Sequence, residues 1–286
     1  MSGFRSQIIH DANCPDISPI HCDEEDIPDH QHVQGLTFVN VQNQVFYAFG
    51  GGWQASFFLP FQIRGSQIEY RLTDGGEAYT PPYAGIHHRN ERLYGFGDAE
   101  LSVQYFHSRT PFLLGVILNS SIPFGKIEEN PYALGLESKP HQHFQMGTGT
   151  FVPSVEVVLG HSKQKSGLLN RYRFEYPYSE NKYNYKTGTA QRWSIGYWRI
   201  IQPKLTLMTQ LQGHHEQSDT WLGYPAPFSG RHAIGVGVSA LWRVRKSKEL
   251  MFRLERNVWE KPLLEADESD ESIPPALIFS LGFSII

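Results

Sequence analysis

Thirteen histidines in a chain of 286 residues are the first place to look for chemistry. Three pairs stand close together: His87 with His88, His141 with His143, and His214 with His215. Imidazoles converging from separate segments, with Glu216 and Asp219 nearby, could hold Zn²⁺ or Cu²⁺. They could also gate an opening by protonating near pH ~6. The plainer expectation is that they are solvated loop residues that never meet. A second ligand-rich run comprises His21, Cys22, Asp23, Glu24, Glu25, Asp26, Asp29, His30 and His32. It reads as a metal-capturing segment, a periplasmic tether or simply an acidic tail. Cys14 and Cys22 could close a short loop in an oxidising compartment or remain two thiols.

Catalytic patterns are absent from the sequence. An outer-membrane hydrolase site would need His and Ser two residues apart on one strand face, and no His-x-Ser occurs. His107-Ser108 and His161-Ser162 are direct neighbours, so on a continuous strand they point to opposite faces. His215 and Ser218 are three apart and fail likewise. No Gly-x-Ser-x-Gly, Walker loop or His-Glu-x-x-His is present. The sequence therefore predicts no enzyme and no cofactor. The net charge of -4, with no Lys/Arg cluster interleaved with aromatics, argues against nucleic-acid binding.

The elements that must carry these residues announce themselves by alternation. From Trp53 to Arg64 one face reads Trp53, Ala55, Phe57, Leu59, Phe61 and Ile63, and the other Gln54, Ser56, Phe58, Pro60, Gln62 and Arg64. The same period of two returns at Ile234, Val236, Val238, Ala240, Trp242 and Val244, and again at Leu277, Phe279, Leu281, Phe283 and Ile285. Side chains alternate across a strand, so one face seeks an apolar medium and the other tolerates water. Long strands of this kind point to an all-β, antiparallel, up-and-down transmembrane β-barrel around a wet lumen. No run of 18 apolar residues exists, so a helical span is excluded.

Eleven strands can be marked: 35–49, 52–64 (extending as far as 72), 95–107, 112–124, 150–161, 166–176, 189–200, 204–214, 231–244, 249–258 and 276–286. Tight turns alternate with long polar loops near 73–94, 125–149, 177–188, 215–230 and 259–275. Short periplasmic turns and long external loops are the habit of outer-membrane barrels. Such barrels have even strand numbers, so a twelfth strand is expected before residue 34 or within the long second strand. The domain reading is a polar periplasmic tail over 1–33, partly disordered or plug-like, and a barrel over 34–286. The alternation then turns Arg64, Glu100, Gln104, Glu156, Arg192, Gln210, Gln212, Arg243, Arg253 and Glu255 inward. Charges inside a barrel bias which solutes pass, unless they pair into a plug. Tyr178, Tyr183, Tyr185, Trp221 and Tyr224 read as an interfacial girdle, or as a ligand site at the mouth. Met1–Ser6 lacks the apolar stretch of an export signal, so a removed signal or a misplaced start is expected.

Four segments carry a resemblance: Gly95-Phe96-Gly97-Asp98-Ala99-Glu100-Leu101, Asn119-Ser120-Ser121-Ile122-Pro123-Phe124-Gly125, Met146-Gly147-Thr148-Gly149-Thr150-Phe151-Val152-Pro153 and Tyr185-Lys186-Thr187-Gly188. In order and spacing they resemble the Gly-Leu-Gly-Asp, Leu-Pro-Thr-Gly, Gly-Thr-Gly-Ser/Thr and Tyr-x-x-Gly elements of an outer-membrane "transporter" family. That family is also called putative MetA-pathway of phenol degradation. The ending Ser284-Ile285-Ile286 departs from the terminal aromatic usual in such barrels. The resemblance implies a barrel, with passive transport of small, aromatic or hydrophobic solutes. The alternative is a non-conducting barrel that binds a ligand, metal or partner through its loops. The partners implied are the lipid bilayer, a small-molecule solute and the barrel-assembly machinery. In this reading Gly97 and Gly149 permit positive φ or a bulge where strands leave the rim, and Asp98 accepts backbone N–H bonds there.

Overall fold

A computed structural model describes residues 1–12, 27–81, 84, 90–137, 139–141, 145–226, 229–263 and 277–285, with backbone alone for 4–12 and 262. Twelve antiparallel strands close on themselves. They are β1 (Ser2–Ala12), β2 (His30–Gly50), β3 (Trp53–Leu72), β4 (Ala99–Arg109), β5 (Phe112–Ile122) and β6 (Pro153–Lys163). The circuit continues through β7 (Ser166–Glu175), β8 (Ala190–Gln202), β9 (Leu205–Glu216), β10 (Arg231–Arg245), β11 (Lys248–Pro262) and β12 (Leu277–Ile285). Each pairs with the next, and β1 closes the ring against β12 with Ser2 opposite Ser280.

The twelfth strand is β1, inside the stretch that the sequence reading assigned to a periplasmic tail. Over Ser2–Ala12 the chain pairs residue for residue with β2, from Ser2 opposite Asn40 to Ala12 opposite His30. A strand whose only signal lies in residues 2–12, next to a polar and acidic run, offers too short a pattern to be read by alternation. β1 ends and β2 begins at the long-loop end, where Ala12 lies opposite His30. Cys14 and Cys22 lie outside the described residues.

Strand lengths follow the pattern that predicted them. The second strand runs on to Leu72, and the expected 95–107 strand is split. Glu91–Phe96 pairs with the upper half of β3, then Gly97-Asp98 breaks the ladder before β4 pairs with the lower half. The outward face is apolar throughout the middle of the barrel. Leu101, Val103, Leu118, Leu159, Ile195, Val236, Val238, Phe279 and Leu281 are all exposed there. In water this would be an apolar surface far larger than soluble proteins carry; in a bilayer it is the solvated face. Two outward aromatic belts frame it, with Tyr47, Phe49, Trp53, Phe112 and Trp242 toward the tight turns, and Tyr94, Phe96, Tyr172, Trp193 and Trp259 toward the loops.

The tight turn from β2 to β3 needs glycine. Gly50, Gly51 and Gly52 all have positive φ, and a Cβ on Gly52 would stand 2.2 Å from the Phe106 carbonyl oxygen. That approach allows the Phe106 N–H to donate to the Gly52 carbonyl at 2.8 Å.

Candidate functional site

The lumen is built by the inward residues of successive strands. All ten residues expected there lie on the inward parity of their strands, and all but Arg64 bond or pair with other inward side chains. Gln104 is buried, donates to Ser102 Oγ at 2.8 Å and Ser56 Oγ at 3.2 Å, and accepts from Gln54 at 3.0 Å. Ser56 and Ser102 share a further bond at 2.7 Å. Arg253 reaches over β10 to Gln210 and Gln212 at 3.3 and 3.4 Å, while it pairs with Glu255 at 2.6 Å. Inward glycines on β10 leave room for this group, because a Cβ on Gly237 would stand 3.3 Å from Glu255 Cγ. Arg243 pairs with Glu249 at 3.1 Å near the tight-turn end.

Charge is concentrated near the loop end. One layer of the ladder places Glu156 opposite Arg173, Arg173 opposite Arg192, and Arg192 opposite His214. Two arginines directly across a ladder repel. Glu175 offsets this by pairing with both, lying 2.8 Å from Arg173 Nε and accepting from Arg192. Glu100 reaches past two strands to Arg173 at 2.5 Å, and Glu156 meets Arg171 at 2.5 Å. Farther round, Arg231 lies 3.1 Å from Glu260 and 4.0 Å from Glu216. Sequence reading missed Arg171, Arg173, Glu175, Arg231, Glu249 and Glu260. For all but Glu260 the signal was the same parity that selected the ten; Glu260 turns inward only because the register shifts between Asn257 and Trp259.

The rim above this layer is tied by Asp98. Its Oδ1 accepts from the backbone N–H groups of Phe124 at 3.1 Å and Gly125 at 2.9 Å. Its Oδ2 accepts from Thr148 N at 2.6 Å and Thr148 Oγ1 at 2.9 Å. Three of the resembling segments thus meet at one carboxylate. Glycine makes the approach possible, since a Cβ on Gly147 would stand 2.2 Å from Asp98 Oδ1 and one on Gly125 would stand 2.7 Å from Gly147. Gly149 has φ +71° as expected, whereas Gly97 serves by close approach, with Gln62 Nε2 2.5 Å from its would-be Cβ.

A loop cap packs beside this knot. A short sheet joins Tyr185–Lys186, Thr220–Trp221 and Tyr224–Pro225. Tyr185, Trp221 and Ala226 form a buried cluster with Tyr132 and Tyr183 against it. Asp219 accepts from Tyr185 OH at 2.8 Å, Thr187 Oγ1 at 3.2 Å and Gly188 N at 2.9 Å. Tyr132 rides on helix α1 (Pro131–Leu136), whose cap Asn130 accepts from Tyr132 N at 3.0 Å. Burial and the Asp219 carboxylate push the Tyr132 phenol up to about 12 and the Tyr185 phenol upward as well. The girdle expected of these aromatics is therefore corrected for Tyr185 and Trp221. They are a loop core, while Tyr178 and Tyr224 are exposed.

This architecture has solved counterparts. An outer-membrane channel from Pseudomonas putida F1 superposes with a TM-score of 0.59 at 11% identity, covering 100% of this chain and 93% of that one. The chain has the fold of a transmembrane β-barrel. The NanC porin and the CymD monoaromatic hydrocarbon channel give TM-scores of 0.46 and 0.44 at 8% and 6% identity. NanC is covered fully by 100% of this chain, and 87% of CymD by 99%. No family profile and no curated protein sequence matches the chain.

Among the described residues, His141, His214 and His215 of the expected pairs do not converge on one site. His214 faces the lumen, with Nε2 3.4 Å from Glu216 Oε2, while its neighbour His215 faces outward. There His215 stacks on His232 across the ladder, ring centroids 4.4 Å apart. His141 is buried in the loops with Nδ1 2.9 Å from the Lys139 carbonyl oxygen. His87, His88 and His143 lie outside the described residues. His30 and His32 are buried on the inward side of β2 beside Tyr70 and Tyr79, and form no part of a free tail. Among the described residues, no group of three or more His, Cys, Asp or Glu is arranged to hold a metal ion.

Proposed function

We propose that the protein is a passive outer-membrane channel for small solutes rather than an enzyme. The observation that carries this is the wetness of the inward charges. Arg171 and Arg192 lie on the lumen wall and their side chains keep 49% and 46% exposure although both are ion-paired. A sealed interior would bury a guanidinium; half-exposed ones line water. The likeness to the Pseudomonas outer-membrane channel supports the same reading. In this proposal the inward charges set selectivity, the loop cap restricts entry, and the barrel-assembly machinery inserts the chain.

The test is single-channel recording of detergent-refolded protein in a planar bilayer. Steady current steps are expected, with ion selectivity altered by Arg243→Glu, which places two carboxylates side by side with Glu249. A heat-modifiable, β-rich barrel that inserts and passes no current would overturn the channel and leave loop-mediated binding in its place.

A further inference from the structure

Among the described residues in the body of the barrel, the inward arginines are paired except at Arg64. The inward guanidinia of Arg171, Arg173, Arg192, Arg231, Arg243 and Arg253 each meet a carboxylate within 3.1 Å or less. Arg64, on the inward face of β3, meets none, and no hydrogen bond satisfies its guanidinium among the described residues. The residue is half-buried on the lumen side of the wall. Its nearest partner is the Phe38 ring across the ladder, 5.9 Å from Cζ to the centroid. Gln62, two residues along the same face, has its side-chain oxygen buried without a partner.

We infer that Arg64 is a solute-binding position within the lumen, for small monocarboxylates that carry an aromatic body. This inference rests on the channel reading for its route of access and names the class of solute. A planar fork with free N–H groups matches a carboxylate in bidentate geometry. A single uncompensated positive charge calls for a single negative one. The wall around it is apolar in the right places. Phe38 flanks the guanidinium, and Pro60 and Phe58 follow Gln62 along the inward face of β3. A flat ring attached to the carboxylate would lie against these faces, whereas a hydrated divalent anion would lose its water there with only one cation to replace it. The other inward arginines compete less well, because a carboxylate already neutralises each of them.

Benzoate is the probe, with benzamide as its neutral isostere and acetate as the anion without a ring. In bilayers, benzoate is expected to interrupt the wild-type current more strongly than benzamide or acetate. Arg64→Ala is expected to weaken that block by about tenfold or more, the scale of one lost charge-assisted bidentate contact. Arg64→Lys, which keeps the charge and loses the fork, is expected to fall between and serves if the alanine variant does not fold. Calorimetric titration of benzoate into the detergent-solubilised barrel reads the site without current. Binding that depends on Arg64 in a silent barrel would sustain the site and sink the channel. Equal block and equal affinity in wild type and Arg64 variants, or no benzoate binding at all, would overturn the inference.

Discussion

Asp98 shows how one side chain can hold three separated segments. Four donors converge on its carboxylate, three of them backbone amides that no strand or helix satisfies. Hydrogen bonds to a charged acceptor are worth more than neutral ones, and an amide left unpaired carries its full desolvation cost. Asp98→Ala is therefore expected to destabilise the 123–152 loop by about 2–4 kcal/mol. Asp98→Asn, which keeps one acceptor oxygen, is expected to lose less. Limited proteolysis of the refolded barrel checks this: cleavage within 123–152 should appear in the alanine variant before any strand is lost. Equal resistance in all three proteins would show that the loop is held by other contacts. The glycines at 125 and 147 belong to the same device, since any side chain there would displace the carboxylate or its donors.

At the scale of elements, the loop cap is the part whose stability should depend on pH. Tyr132 and Tyr185 are held neutral by burial and by the Asp219 carboxylate, so their phenols ionise above the ordinary value of 10.0. A raised phenol binds its proton more tightly in the folded cap than in the opened one. Its contribution is complete below pH ~10 and is lost as pH climbs through the folded value, about 12 for Tyr132. Alkaline titration followed at the tyrosinate band is expected to show late, cooperative ionisation together with cap opening between pH ~10 and 12, while the far-ultraviolet β signal persists. Asp219→Asn should bring the ionisation to lower pH, and unchanged titration in that variant would remove the carboxylate from the account. The barrel was legible in the sequence and this cap was not, for the same physical reason. Strands such as 231–245 repeat one environment every second residue, so periodicity reveals them. The two-residue strands at Tyr185–Lys186 and Thr220–Trp221 carry no period, and their pairing depends on a contact between distant loops. The inward site was legible as a parity, which is why Glu100 and Arg192 were found. Which of those charges pair was hidden, because Glu100 meets Arg173 across two intervening strands. Strand parity called for a twelfth strand before residue 34 or within the long second strand, but its place at 2–12 was not marked, because so short a stretch gives too few repeats of the period to read.

For the molecule as a whole, the distinction that matters is between the two faces of one wall. A charge changed on the lumen face should alter ion selectivity, and the same change on the lipid face should not. Glu175 and Arg256 offer the comparison. Glu175 is the inward carboxylate shared by Arg173 and Arg192. Glu175→Gln removes one negative charge and leaves a net excess of one positive charge in that layer, with the half-exposed Arg192 released toward the lumen. A unit charge about 5 Å from a passing ion in water is worth about 0.8 kcal/mol, a roughly fourfold change in local ion concentration. The reversal potential in a KCl gradient should therefore shift toward chloride selectivity. The shift should be large at ~0.1 M salt and small at ~1 M, where the screening length falls from about 10 to 3 Å. Arg256 pairs with Val236 and Leu277 on the exposed, apolar side of the wall. Arg256→Gln also changes the net charge by one, yet it should leave the reversal potential where it was. If both substitutions shift selectivity alike, the current does not run through this lumen. If neither does, the layer of paired charges around Glu175 lies off the ions' path.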